Sequence, residues 1–211
     1  RPHRGTRRQN RQGKTKKVNN MKCDIILAGV GGQGILSIAA TIGLAAVEQN
    51  LHLKQAEVHG MSQRGGDVQS HLRLSDSEIW SDLIPHGGAD LIISVEPMEA
   101  LRYLPWLSPG GWLVTNTVPF VNIPDYPEAG EVLAELRRSG NTIAIDADGI
   151  ARELGSARSG NMVILGAASS FISMPFPALE NAVRKMFGRK GEEVVEVNLK
   201  ALRAGRDASG R

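Results

Sequence analysis

Two short runs hold the groups suited to chemistry. The first, Ala28-Gly29-Val30-Gly31-Gly32-Gln33-Gly34, follows the apolar Ile25-Ile26-Leu27 and leads into a long stretch of small residues. A strand, a glycine turn and a helix start in that order make an anion site. The unpaired N–H groups of the first helical turn and the positive end of the macrodipole face the loop and favour phosphate or carboxylate. Gly29-x-Gly31-x-x-Gly34 matches the dinucleotide fingerprint, and Glu57 stands where an acid for a ribose would be sought. A glycine turn that only packs the first helix against the first strand has the same spelling, so the pattern alone leaves both readings open.

The second run, Glu57-Val58-His59-Gly60-Met61-Ser62-Gln63-Arg64-Gly65-Gly66-Asp67-Val68, departs from an ordinary nicotinamide enzyme. There the second strand leaves its acid on the ribose and passes into a helix. Here the acid opens a polar loop carrying an imidazole, a hydroxyl, an amide and a guanidinium. Two glycines then release the chain into Val68-Gln69-Ser70-His71-Leu72-Arg73-Leu74, which alternates like a half-buried strand.

The elements that must position these runs follow from periodicity. Strands are expected at Lys22–Ala28 and His52–Val58, with helix Gly34–Gln49 between them. Asp67–Leu74 is expected to pair with Glu78–Trp80 as a hairpin around Ser75-Asp76. Asp90-Leu91-Ile92-Ile93-Ser94-Val95 is nearly continuous in apolar character, the signature of a strand covered on both faces. Helix Pro97–Leu104, strand Trp112–Asn116, a proline-rich loop Pro119–Pro127, helix Glu128–Ser139 and strand Thr142–Asp146 follow. Asn161–Ser173, Pro177–Phe187 and Glu192–Ala204 read as helices. Strands alternating with helices predict an α/β fold, a Rossmann-like, doubly wound, mostly parallel sheet with a helical C-terminal layer.

Other polar residues admit two roles each. Glu96 and Glu99, at the carboxyl end of the buried strand, occupy the edge where open α/β sheets bind ligands, and equally suit a first helical turn. Asn161 opens a stretch ending in the small residues Gly166-Ala167-Ala168-Ser169-Ser170, which suits close helix packing, and Asn161 itself suits a helix N-cap. His59 lies in the polar loop, as a hydrogen-bonding imidazole or a general base. His52, His71 and His86 lack the spacing of metal ligands, and no metal site is expected. The single cysteine, Cys23, reads as a small buried hydrophobe. It permits no internal disulfide, iron–sulfur cluster or cysteine-rich zinc site on this chain.

Four blocks in order resemble the gamma-type subunits and domains of 2-oxoacid:ferredoxin oxidoreductases, and among these most closely the indolepyruvate branch. They are Gly29–Gly34, Glu57–Gly66, Glu96-Pro97-Met98-Glu99-Ala100-Leu101, and Gly160-Asn161-Met162-Val163-Ile164-Leu165-Gly166, within a resemblance running from Met21 to about Leu202. The second block is the specific one. The resemblance implies a subunit of an enzyme that oxidatively decarboxylates 2-oxoacids, here arylpyruvates such as indolepyruvate, to acyl-CoA and carbon dioxide with electrons passed to ferredoxin. It also implies a large alpha subunit carrying thiamin diphosphate and iron–sulfur clusters, since this chain has no Gly-Asp-Gly thiamin signature and holds none of these groups alone. Gly29, Gly31, Gly32, Gln33 and Gly34 would face a phosphate or carboxylate, with Arg64 as an anion fork. Glu57, His59, Ser62, Gln63 and Asn161 would add contacts to substrate or coenzyme A. No catalytic residue is assigned. The alternatives are a free-standing nucleotide-binding dehydrogenase and a non-enzymatic nucleotide-binding module.

Composition bounds these readings. With 211 residues, 41% of them hydrophobic, the chain is long enough for one sizeable core. One domain is expected over residues 21–205, with a flexible tail at 206–211. The formal charge of +3 misleads: eight of the 25 basic residues fall in residues 1–20, which contain none of the 22 acidic ones, so the remainder is acidic. That basic arm, which ends just before Met21, is expected to be a disordered, vector-derived or upstream segment without a part in function. No nucleic-acid partner follows from it. No apolar run approaches the about 20 residues needed to span a bilayer, so no membrane partner is expected and the chain is expected to be cytoplasmic.

Overall fold

A computed structural model describes residues 21–60, 65–121 and 123–211, with His59 through its backbone alone. The first element, β1 (Lys22–Val30), is buried from Cys23 onward. Its alternation serves two cores at once: Ile25 and Leu27 face one cluster, Ile26 and Ala28 the other. The chain continues through α1 (Ile35–Glu48), β2 (His52–His59), β3 (Asp67–Ser75), β4 (Ala89–Ser94), α2 (Pro97–Tyr103), β5 (Leu107–Asn116), α3 (Ala129–Arg138), β6 (Thr142–Ile145), α4 (Ala147–Glu153), α5 (Gly160–Ala168), α6 (Phe176–Phe187) and α7 (Glu192–Ala208).

The six strands form one sheet in the order β2-β3-β1-β4-β5-β6. The neighbours β1-β4, β4-β5 and β5-β6 are parallel, whereas β3 runs antiparallel to both β1 and β2. Helices α1 and α4–α7 contribute to one core cluster, and α2 and α3 to the other. The expected α/β sheet with helices on both faces and a helical C-terminal layer is therefore present.

Several boundaries differ from expectation for identifiable reasons. Glu78–Trp80 is not a strand, and β3 pairs along its length with β1 and β2 instead. The segment that follows is strapped across β3 as a loop: Arg73 donates to the carbonyls of Ser81 and Leu83, and the amide of Ile84 donates to His71 Nδ1. Short α4 has no counterpart among the expected elements, and Asp146, expected to end the strand from Thr142, lies just beyond β6. It is the N-cap, accepting from the Gly149 amide at 2.7 Å. The helix expected over Asn161–Ser173 begins at Gly160 under Ser159 and ends at Ala168. The last helix continues past Ala204 to Ala208, so residues 206–208 of the expected flexible tail are helical, and the Arg211 guanidinium lies over the Trp112 ring.

The small-residue stripe of α5 is a packing surface. A Cβ on Gly166 would overlap the Leu202 carbonyl of α7, and one on Gly205 the Val163 carbonyl of α5, so the two backbones cross in contact. In β1, Asp24 is buried and receives a two-pronged ion pair from Arg73, opposite it on β3, at 2.8 and 3.0 Å. Lys22 adds a third contact at 2.7 Å. The pair crosses the one antiparallel seam that β1 makes.

Candidate functional site

Each parallel strand ends at the same edge of the sheet, and there a cleft of about 890 Å³ opens. Its walls are the turn after β1 (Gly32, Gln33, Gly34), Val95 after β4, Asn116 at the end of β5, Asp148 in α4, the segment 155–161, and residues of α6 and α7 with their connection, including Lys190 and Glu193. Open α/β sheets bind ligands at this edge, where the crossovers part to opposite faces, as they do between β1 and β4 here.

Two helix N-termini meet at the cleft. Helix α1 starts after Gly34 and α5 after Ser159, and neither has a side-chain cap or an acidic residue in its first turn. Such ends present unsatisfied N–H groups and the positive end of a dipole. Helix α4 is the contrast: it is capped by Asp146 and carries Asp148 in its first turn. The two open ends are tied together, since Asn161 Nδ2 donates to the Gly34 carbonyl at 3.2 Å while Asn161 Oδ1 accepts from the Met162 amide. Gly34 has φ +84°, and a Cβ there would collide with the Asn161 amide. Arg158 and Lys190, both exposed, also line the cleft, and among the described residues neither is in an ion pair with a carboxylate. Of the two carboxylates there, Asp148 accepts from Asn116 Nδ2 at 3.2 Å.

The residues expected at the site divide accordingly. Gly32, Gln33, Gly34 and Asn161 line the cleft. Asn161 is not the N-cap, a position taken by Ser159. Gln33 turns its Oε1 back to accept from the Val30 amide at 2.8 Å, bracing its own turn. Gly29 lies beneath, where a Cβ would meet Val95 and Ile35, so its role is packing. Gly31 is engaged by the polar loop: its amide donates to the Gly66 carbonyl at 2.9 Å, and its carbonyl accepts from Gly65. The Gly60 amide donates to the Asp67 carbonyl at 2.9 Å, which closes the loop between β2 and β3 at its root. The glycine turn and the polar loop are thus joined by their backbones. His59 ends β2 with its backbone opposite Val68; Ser62, Gln63 and Arg64 lie outside the described residues.

Glu57 is not where a dinucleotide fold needs it. In that fold strand two lies beside strand one, whereas β3 is inserted between β2 and β1 here. Glu57 is therefore two strand spacings, roughly 9–10 Å, from β1 across the sheet, and its Oε2 accepts from Gln55 at 3.2 Å. Insertion of β3 removes the geometry behind the nicotinamide alternative.

The paired carboxylates after β4 have separate structural partners. Glu96 is 1% exposed, caps α2 through the Glu99 amide at 2.8 Å, and accepts from the Phe120 amide and the Tyr126 hydroxyl, fixing the chain after β5. Burial and that carboxylate push the Tyr126 hydroxyl pKa upward. Glu99 receives Arg102 Nε at 2.9 Å, yet burial raises its carboxyl to about pKa 7 against the opposing pull of that guanidinium. Two groups escaped notice in the sequence, Arg158 and Lys190. Their signal was weak: each is an isolated cation in a polar connection.

The sequence profile of the pyruvate ferredoxin/flavodoxin oxidoreductase family matches residues 24–208. The chain belongs to this family. As a member of the pyruvate ferredoxin/flavodoxin oxidoreductase family it is an oxidoreductase subunit, and it is 39% identical over 194 residues to the indolepyruvate oxidoreductase subunit IorB of Archaeoglobus fulgidus, with 88% of this chain and 94% of that one covered. The fold resembles the 2-oxoglutarate:ferredoxin oxidoreductase of Magnetococcus marinus, solved with 2-oxoglutarate, coenzyme A and succinyl-CoA bound. That match has a TM-score of 0.71 and 25% identity over 90% of this chain and 31% of the other. It also resembles the keto/oxoacid ferredoxin oxidoreductase gamma subunit of Geobacter sulfurreducens (TM-score 0.64, 24% identity, 89% and 98% covered). Among the described residues no helix is long and apolar enough to cross a membrane, and no cluster of His, Cys, Asp and Glu is arranged to hold a metal ion.

Proposed function

We propose that this chain is the small subunit of an indolepyruvate-type 2-oxoacid:ferredoxin oxidoreductase and that its cleft binds the anionic part of coenzyme A or its thioester. The overall reaction converts an arylpyruvate and coenzyme A to arylacetyl-CoA, carbon dioxide and a proton, with two electrons leaving for ferredoxin. The observation that carries the proposal is the meeting of two uncapped helix N-termini with Arg158 and Lys190 in one cleft. Diphosphate and phosphate groups suit such donors, and about 890 Å³ is within the range of small-molecule sites. Coenzyme A supplies the thiol that receives the acyl group. The chain's own residues bind and orient: the first-turn amides of α1 and α5 face the anion, the two cations hold its charge, and Phe120 adds an apolar ring to the lining.

Iron–sulfur clusters do not fit this chain, and its sequence carries no Gly-Asp-Gly thiamin signature. Its one cysteine, Cys23, is buried within β1, and burial together with Asp90 and Asp24 pushes the thiol pKa up to about 12, the reverse of what a metal-bound thiolate needs. A larger partner subunit carries those groups, and His59, Ser62, Gln63 and Arg64, by the family resemblance, would contribute contacts to a substrate site shared with it. The enzyme works in the cytoplasm.

The test is steady-state kinetics of the assembled enzyme. Arg158→Ala and Lys190→Ala should each raise KM for coenzyme A several-fold, leaving KM for indolepyruvate and the melting temperature nearly unchanged, because exposed cations add little to folding. An unchanged KM for coenzyme A in the double variant would refute the assignment of the cleft.

A further inference from the structure

The root of the polar loop is held from below by an arrangement that the proposed chemistry does not use. Asp67 begins β3 directly after Gly65-Gly66, and its carbonyl receives the Gly60 amide that closes the loop. Its side chain turns toward α2, where Oδ2 accepts from the Tyr103 hydroxyl at 2.8 Å. Glu99, one turn before Tyr103 on the same face of α2, brings its buried carboxyl to the same Asp67 side chain. Asp67 Oδ1 is buried and has no hydrogen-bond donor among the described residues. Two carboxyl groups in contact cannot both ionise without repulsion, and a hydrogen bond between them requires a proton on one.

We propose that Asp67 and Glu99 share one proton and act as a positioning pair, clamping the root of the loop between β2 and β3 onto α2 so that its anchorage depends on protonation. Glu99 is the proton holder. Its side chain is only 9% exposed, and burial raises its pKa to about 7, with the nearby Asp67 charge adding to the rise. Among the described residues, the charged and titratable groups around the pair are Arg102 and Tyr103 from α2, Glu96 at the N-cap of α2, and Tyr126 from the segment after β5. Arg102 is the sole cation of the set, and at 54% side-chain exposure it is partly screened by water. When the proton leaves, two carboxylates repel each other at Asp67, the residue after Gly66, whose carbonyl accepts from the Gly31 amide of the glycine turn. The loop and the cleft turn are therefore coupled to one titration.

The sign follows from linkage. Because the Glu99 pKa is raised on folding, the folded chain binds more protons than the unfolded one between the usual glutamate range and about pH 7, so stability from this source falls as pH rises across that window. Glu99→Gln mimics the protonated form: its amide donates to Asp67 and its carbonyl accepts from Arg102. The experiment compares the full chain and Glu99→Gln by melting temperature and amide hydrogen exchange from pH 5 to pH 8, as about four points spanning the titration. Exchange at Gly60 is divided by that at Leu113, whose amide bonds to the Asn141 carbonyl at the far side of the sheet, so that the intrinsic pH effect cancels. The unsubstituted chain should lose melting temperature relative to the variant as pH rises, and its Gly60 ratio should rise several-fold, while the variant's ratio stays flat. Parallel melting curves and identical exchange ratios at every pH would overturn the proposal. So would a Glu99→Gln protein less stable than the parent at pH 8, since an ionised Glu99 would then be the stabilising form.

Discussion

Replacing Gly34 by alanine tests the junction on which the site is built. Gly34 sits at φ +84°, in the left-handed region, where a Cβ costs about 1–2 kcal/mol. The Cβ would also meet the Asn161 side chain, which must then give up its 3.2 Å hydrogen bond to the Gly34 carbonyl, a further loss of about 0.5–1.5 kcal/mol. Gly34→Ala should therefore cost about 2–3 kcal/mol in urea unfolding of the chain, and Asn161→Ala alone about 1 kcal/mol. The two are not independent. In the Asn161→Ala background the collision and the hydrogen bond are already gone, leaving only the backbone strain. The double variant should then be about 1 kcal/mol more stable than the sum of the single losses predicts. Additivity within about 0.3 kcal/mol would show that Asn161 does not brace the turn and would refute the reasoning.

Two further outcomes follow from buried charge and burial. Arg73→Ala strands the Asp24 carboxylate, only 2% exposed, with the half-exposed Lys22 as its remaining cation; the loss should be about 3 kcal/mol, lowering the melting temperature by roughly 6–12 °C, and Arg73→Lys should recover less than half because it lacks the fork. Cys23, with its thiol held near pKa 12, should react with a thiol reagent at pH 8 only after unfolding; rapid labelling of the native chain would contradict its placement.

The parts of the molecule legible in the sequence are those set by local pattern. The doubly buried β1 and β4 show in their continuous apolar runs, and the glycine turn shows in its spelling. What the sequence hid depends on which strand lies next to which. The alternation of β3 is the same whether its partner is Glu78–Trp80 or β1, so the insertion between β2 and β1 could not be read, nor could the removal of Glu57 from the glycine turn. Asn161 was found by resemblance, but its contact with Gly34 spans 127 residues and only the packed α5 supplies it. Glu99 looked like one of a pair with Glu96, its neighbour on the helix. Its ion-pair partner is Arg102, three residues on, and burial together with Asp67, from the loop's root, sets its protonation.

Reconstitution decides whether this chain completes a larger enzyme. This chain and a large thiamin- and cluster-bearing partner, expressed apart and together, are assayed for indolepyruvate-dependent reduction of a viologen dye with and without coenzyme A. Neither chain should turn over alone, the complex should, and complete turnover should require coenzyme A. Full activity from the partner without this chain, or from this chain without the partner, would contradict this.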